Sequence, residues 1–336
     1  MTHEFKDIIK AHLNAKRDGL KSVLATVVDL DGSSYRKPGV RMLILENDKM
    51  IGAVSGGCVE KDILRQSQSV FKDGLAKMMT YDGRYRLGCE GILYILLEEF
   101  NPEDNFFNAF SDILEERQTF QIESKFVRKE GALQGIGSIV TFGAAKFALS
   151  KFKKSTDKLL RFKEAMPPCF KLMIFGAEHD AVKLCQLANY NGWEVTIVTG
   201  PLESKTIKDF PGASRFFSVS PSDMELDAID NQTAVVLMSH NFANDLKFLI
   251  ELKETRPAYI GLLGPSHRRE KLFSQLFEYC PEIEEEFLSL IHGPAGLNIG
   301  SETPQEIAIS ILAEVLSVIR RQVPMSLKEK GTGIHS

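Results

Sequence analysis

The chain has 336 residues, 43% of them hydrophobic and 26% charged, with a formal net charge of −4. That length suits two domains with separate cores, and the charge balance gives no general pull toward nucleic acid or an anionic membrane. The opening Met1-Thr-His-Glu-Phe-Lys-Asp is not apolar, and no apolar run approaches the ~18 residues of a membrane span. A soluble cytoplasmic protein with neither a nucleic-acid nor a membrane partner is expected, its five cysteines reduced.

Phe5, Ile8, Ile9 and Leu13 recur at helical spacing and predict a helix over residues 4–17. A buried strand over 22–28 follows. Strands over 40–45 and 50–54 flank Asn47-Asp48 and read as a hairpin. Residues 59–71 carry an inner stripe of Val59, Ile63 and Val70, again helical. A strand over 92–97, a helix from Pro102 to Glu116, and strands over 120–127 and 137–142 come next. The lysines between Lys146 and Lys163 predict a charged helix with a solvated face, or else a partner-binding face. Pro167-Pro168 marks a boundary.

Beyond it, strands and helices alternate. Strands are expected over 171–175, 194–198, 215–219, 234–239, 258–263 and 287–291, and helices over 181–190, 244–253 and 268–278. This rhythm belongs to a parallel, doubly wound sheet. Thr303, Pro304 and Glu306 start a last helix through a capping box. The fold class is therefore α/β: a mixed α+β domain over 1–166, its part from 101 carrying no usable motif, a Rossmann-like domain over 167–323, and a flexible tail over 324–336.

Three turns of the first domain carry chemistry. In Ser55-Gly56-Gly57-Cys58-Val59-Glu60, two glycines turn the backbone and Cys58 falls in the first turn of a helix. The N–H groups and dipole there favour thiolate or an oxyanion. Leu87-Gly88-Cys89-Glu90-Gly91 sets a second cysteine in a glycine turn beside an apolar strand. The third turn runs from Gly32 to Arg41 and gathers Arg36, Lys37 and Arg41 among hydroxyls and glycines, which suits a phosphate. A small buried cysteine in a tight turn and an exposed basic hairpin are the plainer readings.

These segments resemble the xanthine dehydrogenase accessory factor family, also called the XdhC/CoxI family. The likeness lies in Gly32-Ser-Ser-Tyr-Arg-Lys-Pro-Gly, Ser55-Gly-Gly-Cys-Val-Glu and Gly88-Cys-Glu-Gly. Glu90 stands where the family usually has a second glycine. Further on it extends to Met238-Ser239-His240, to Gly261 through Arg269, and to Ile291-His292-Gly293-Pro294-Ala295-Gly296 continuing into Glu306. The resemblance implies a maturation factor for a molybdenum hydroxylase. Such a factor binds the molybdopterin form of the molybdenum cofactor, helps a cysteine desulfurase sulfurate it, and passes it to the apoenzyme. It is a cofactor-binding chaperone rather than a stand-alone enzyme. On that reading Cys58 and Cys89 are the reactive thiols, with Cys58 a ligand for molybdenum or a persulfide carrier. Ser55, Gly56, Gly57 and Glu60 line the cofactor, and Arg36, Lys37 and Arg41 hold its phosphate. A homodimer would help to shield it.

The second domain departs from a dinucleotide site. The fingerprint Gly-x-Gly-x-x-Gly reads here Gly176-Ala177-Glu178-His179-Asp180-Ala181, and the second strand ends in Thr199 rather than an acid. NAD(P) binding is disfavoured. The strand ends nonetheless carry His179, His240, His267 and His292, with Gly264, Ser266, Arg268 and Gly296. Together with Gly176 and Asp180 they form a second candidate binding wall, with Ser266 expected to cap the helix that follows. Cys169, Cys185 and Cys280 read as structural. The alternatives are an NAD(P)-dependent oxidoreductase of small molecules, or a nucleotide-binding sensor.

Overall fold

A computed structural model describes residues 2–32, 37–85, 91–151, 158–223 and 229–330, with Cys58 described by its backbone. The chain divides into two compact units, Met1–Pro168 and Cys169–Ser336. Among the described residues no helix is long and apolar enough to cross a membrane.

The first unit runs α1 (Thr2–Arg17), β1 (Ser22–Asp31), β2 (Arg41–Leu45), β3 (Met50–Gly52), α2 (Cys58–Asp73), β4 (Lys77–Asp82), β5 (Ile92–Glu99), α3 (Asp104–Glu115), β6 (Phe120–Phe126), β7 (Gly131–Ala132), β8 (Gly137–Phe142), β9 (Ala145–Ala148) and β10 (Leu160–Met166). One sheet has the order β3-β2-β1-β5-β4-β7 and a second β10-β6-β8-β9. Alternation along the strands decides which face packs where. Val23, Ala25, Val27, Met42, Ile44, Ile95 and Leu97 meet Val59, Ile63 and Val70 of α2. Leu24, Leu43 and Leu45, on the opposite face of the sheet, share a core with Phe5 and Ile8 of α1, Phe106 and Phe110 of α3, and Phe120 and Ile122 of β6. The hairpin between β2 and β3 turns on Asp48, at a φ of 65°, a conformation that Asx residues tolerate.

Among its described residues the lysine-rich segment holds no helix. Its described parts form β9 and β10. The reason is a period of two: Phe162, Glu164 and Met166 point inward while Arg161, Lys163 and Ala165 are exposed. Arg161 and Lys163 reach Glu123 on β6 at 3.5 and 3.1 Å. Its residues 152–157, and 331–336 of the tail, lie outside the described residues.

The second unit runs β11 (Lys171–Phe175), α4 (His179–Tyr190), β12 (Glu194–Thr199), β13 (Ala213–Ser218), β14 (Thr233–Leu237), α5 (Phe242–Leu252), β15 (Tyr259–Leu262), α6 (Ser266–Tyr279), α7 (Glu285–Ser289), β16 (Ile291–His292) and α8 (Pro304–Arg320). All pairings are parallel in the order β13-β12-β11-β14-β15-β16, the Rossmann order. Leu172, Ile174, Val195, Ile197, Ala234 and Val236 face α4 and α8, whereas Met173, Phe175, Val235, Leu237, Ile260 and Leu262 face α5 and α6. Each such fully buried aliphatic side chain contributes about 1.5–3 kcal/mol. The strand expected over 287–291 is mostly the short helix α7, with only Ile291 and His292 extended. Acids at Glu284, Glu285 and Glu286 favour a helix start there.

Candidate functional site

The turn before α2 is built around one carboxylate. Gly57 takes a φ of 118° as N-cap, which L side chains rarely adopt, and Cys58 is the first residue of the helix. Glu60, buried, accepts hydrogen bonds from the N–H groups of Ser55 at 2.6 Å and Gly57 at 2.7 Å. It thereby holds the turn closed. A Cβ built on Gly56 or Gly57 would meet only open space, so these exposed glycines leave the backbone open to a close approach. Val54 and Val59 on either side are anchored in the core.

The basic turn reads differently in the structure. Arg36 and Cys89 lie outside the described residues, and Lys37 is exposed. Arg41 is not available for a phosphate in this arrangement. It is buried, donating from Nη1 to Glu164 Oε2 at 2.8 Å and to the Gly39 carbonyl at 2.9 Å. Both Glu164 oxygens sit 2.9 Å from where a Cβ of Gly39 would be. Arg41 therefore moors the base of the turn to β10. The position at the first residue of a fully buried strand explains why: a cation facing a core must bring an acid with it.

In the second unit the carboxyl ends of β11, β14, β15 and β16 form one edge. Gly176 has a φ of 145°, and a Cβ there would fall 2.4 Å from the Met238 carbonyl oxygen. Glu178 is the N-cap of α4 and is exposed, as is His179, while Asp180 is half-buried. Lys205 Nζ donates to the carbonyl of Ala177 across this turn. Thr199, where an acid for a ribose would stand, is buried and donates to the Phe217 carbonyl at 3.3 Å.

Two acids organise the rest of the edge. Asp245, on α5, accepts from Ser239 Oγ at 2.5 Å and from Arg268 Nη2 at 2.7 Å. Arg268 also lies over the Phe242 ring at 5.7 Å, and its Cδ is 2.7 Å from a would-be Cβ of Gly264. Glu314, on α8, accepts at Oε2 from Tyr259 OH at 2.6 Å and from the N–H of Gly296 at 2.7 Å, and its Oε1 faces His292 Nδ1 at 3.4 Å. The His292 and Tyr259 rings stack at 4.6 Å. Burial works against the charge on Glu314, but the hydrogen bonds from His292, Tyr259 and Gly296 outweigh it and hold the carboxyl below its usual range. Burial, reinforced by the adjoining carboxylate, drives the Tyr259 hydroxyl far upward, so it remains a donor.

Ser266 does not cap α6. It is the first helical residue and exposed, and Pro265 is the N-cap with no side-chain bond. His240, at a φ of 54°, and His267 are exposed at the same edge. Gly296 takes a φ of 110°, a conformation that L side chains rarely adopt. Among the described residues no group of three His, Cys, Asp or Glu side chains is placed to hold a metal ion. Cys169, Cys185 and Cys280 are buried, and burial pushes the Cys185 thiol up to about 12.

The sequence reasoning missed Asp245, Tyr259 and Glu314. A signal for Glu314 did exist: it falls in the inward stripe of α8 with Ile307, Ile311 and Val318, where a carboxylate needs a partner.

A Rossmann sheet with an acid-organised carboxyl edge and a sheet-and-helix unit with a Gly-Gly-Cys helix start together define a two-unit α/β protein. Residues 15–82 match the model of the XdhC and CoxI family, and residues 172–315 that of the XdhC Rossmann domain. The chain belongs to the XdhC and CoxI family. It is 29% identical over 330 residues to a probable xanthine dehydrogenase subunit of Bacillus subtilis (90% of this chain, 95% of that one). It is 26% identical over 323 residues to the molybdenum cofactor insertion chaperone PaoD of Escherichia coli (95% and 90%). A crystal structure of a xanthine dehydrogenase from Bacillus halodurans shares the fold at a TM-score of 0.77, with 24% identity and coverage of 96% and 98%.

Proposed function

We propose that this chain is a maturation factor that binds the molybdopterin cofactor, assists its sulfuration by a cysteine desulfurase, and delivers it to xanthine dehydrogenase or a related molybdenum hydroxylase. The coextensive similarity to an insertion chaperone supports the maturation role. The observation that carries the binding role is Cys58 at the first position of α2, directly behind two exposed glycines whose Cβ space is open. A soft thiolate at that position suits a molybdenum centre or a persulfide, and the open turn lets a bulky ligand approach the backbone. Cys89 is the second thiol of this reading, and Arg36 and Lys37 are the groups that would meet the phosphate. Arg41 drops out of that set and becomes the mooring of their turn.

The fit of the second unit rests on its edge. Asp245 and Glu314 pair with Arg268 and His292, the groups that would meet the ligand on this reading. Gly176, His179, Asp180, His240, Gly264, Ser266, His267 and Gly296 border them. Expression together with cofactor biosynthesis tests the proposal, with molybdenum content and pterin fluorescence measured on the purified protein. Wild type carries both, and Cys58→Ala carries neither above background. Equal loading of the two proteins refutes a role for Cys58 in holding the cofactor.

A further inference from the structure

Tyr259, Glu314 and His292 come from three different elements, β15, α8 and β16. Their hydrogen-bond directions leave little freedom. Tyr259 OH and the Gly296 N–H both donate to the same oxygen, Glu314 Oε2. The Tyr259 ring lies along its own strand, with Cε1 and the hydroxyl oxygen 2.8 and 2.9 Å from where a Cβ of Gly261 would be. It also stacks on the imidazole at an interplanar angle of 21°. Oε1 is then left for His292 Nδ1, at 3.4 Å. A carboxylate only accepts, so in the neutral imidazole the hydrogen must reside on Nδ1. Nε2 is left with its lone pair, on a half-exposed side chain beside the Gly293–Gly296 loop. Arg269 packs its Cδ 2.9 Å from a would-be Cβ of Gly293.

We infer that Glu314, locked by Tyr259 and Gly296, is a positioning residue that sets His292 as the Nδ1–H tautomer, and that the ligand group taken by His292 Nε2 is an N–H donor of a heterocycle rather than a phosphate. A lone pair backed by a carboxylate repels phosphate oxygens and accepts from a ring or amino N–H. This deepens the cofactor reading, since a pterin carries such donors, and its ligand half rests on that reading. The tautomer half stands on the geometry alone.

The lock makes one variant unusually informative. In Glu314→Gln the atom at Oε2 must remain an oxygen, because two donors converge on it. The amide nitrogen is thereby turned toward His292 Nδ1, which must now accept. The hydrogen moves to Nε2, and an acceptor facing the ligand becomes a donor.

The test is a long-range proton–nitrogen spectrum of the full chain labelled with 15N-histidine. It is recorded at about pH 8, where an ordinary imidazole is neutral, and His292→Gln assigns the signals. Wild type and Tyr259→Phe, which keeps the Gly296 bond, show a protonated Nδ1 and a bare Nε2. Glu314→Gln shows the reverse, with an unchanged circular dichroism spectrum. Pterin added as the probe shifts the wild-type Nε2 signal and binds Glu314→Gln about tenfold more weakly. A wild-type His292 protonated on Nε2, or no exchange in Glu314→Gln, overturns the positioning role. Inorganic phosphate shifting Nε2 where pterin does not overturns the ligand assignment. If the protein carries the cofactor when purified but pterin leaves Nε2 unmoved, the ligand half fails and the proposed function stands. Absence of cofactor with the tautomer exchange intact removes the proposed function and the ligand half with it, and leaves the positioning role established.

Discussion

Replacing Arg41 by methionine separates a mooring role from a phosphate-binding one. The side chains of Arg41 and Glu164 are only 4% and 10% exposed. The change strands a carboxylate beneath Gly39, with Oε1 already lacking a partner, and deprives the Gly39 carbonyl of its donor. Removing one member of a buried pair costs about 3–5 kcal/mol. For a unit of this size that lowers the melting temperature by roughly 10 °C. The double variant Arg41→Met with Glu164→Met removes both charges and recovers to within about 1 kcal/mol of wild type. Because the pair is buried, the loss persists in high salt. Urea unfolding followed by far-ultraviolet circular dichroism measures it. The fluorescence of the single tryptophan, Trp193 in the second unit, serves as an internal reference. A loss below about 1 kcal/mol in Arg41→Met, or a double variant no better than the single, refutes the mooring argument. Normal stability with reduced cofactor loading would return Arg41 to the binding site.

Gly176→Ala places a methyl 2.4 Å from the Met238 carbonyl oxygen at a φ of 145°, so calorimetry should show the second unit destabilised by more than about 2 kcal/mol. His12 is buried against Phe100 and Phe107, and burial, with Lys16 nearby, lowers its pKa to about 4. The unfolded chain therefore binds a proton that the folded chain refuses. Stability falls as the pH drops from about 6.5 toward 4, by roughly 2–3 kcal/mol, and His12→Gln flattens that segment of the stability–pH curve. Under native conditions at neutral pH, a maleimide should spare Cys169, Cys185 and Cys280, which are buried, and label Cys58 at the open helix start. Equal labelling of Cys185 and Cys58 would contradict the exposed-turn reading.

The second unit was the more legible in the sequence. Its central strands are largely apolar runs punctuated by glycine and proline, and its last helix announces itself through Thr303, Pro304 and Glu306, whose capping bonds form in the structure. The lysine-rich segment misled because charge density says nothing of period, and its partner Glu123 lies on a distant strand. Arg41 misled for the same reason. Its chemistry suits phosphate, but its partner is 123 positions away along the chain. The histidines at the strand ends could be placed on an edge from sequence, because parallel strands bring their carboxyl ends together. The acids behind them could not be assigned to their partners: Glu314 stands out in the inward stripe of α8, but which side chains Asp245 and Glu314 meet is decided only by how their helices pack on the folded sheet.

That Glu314 is supplied by α8 carries a consequence for synthesis. The Rossmann strands emerge from the ribosome before residue 304, and domains tend to form in that order. The parallel sheet is fully encoded before the helix that carries Glu314 has been made. The site is thus finished last, and a nascent chain displays an incomplete edge until its final long helix docks. A chain that ended between His292 and Pro304 would carry every strand of the sheet but lack Glu314, and on the reading proposed above its imidazole would be without the carboxylate that aims it.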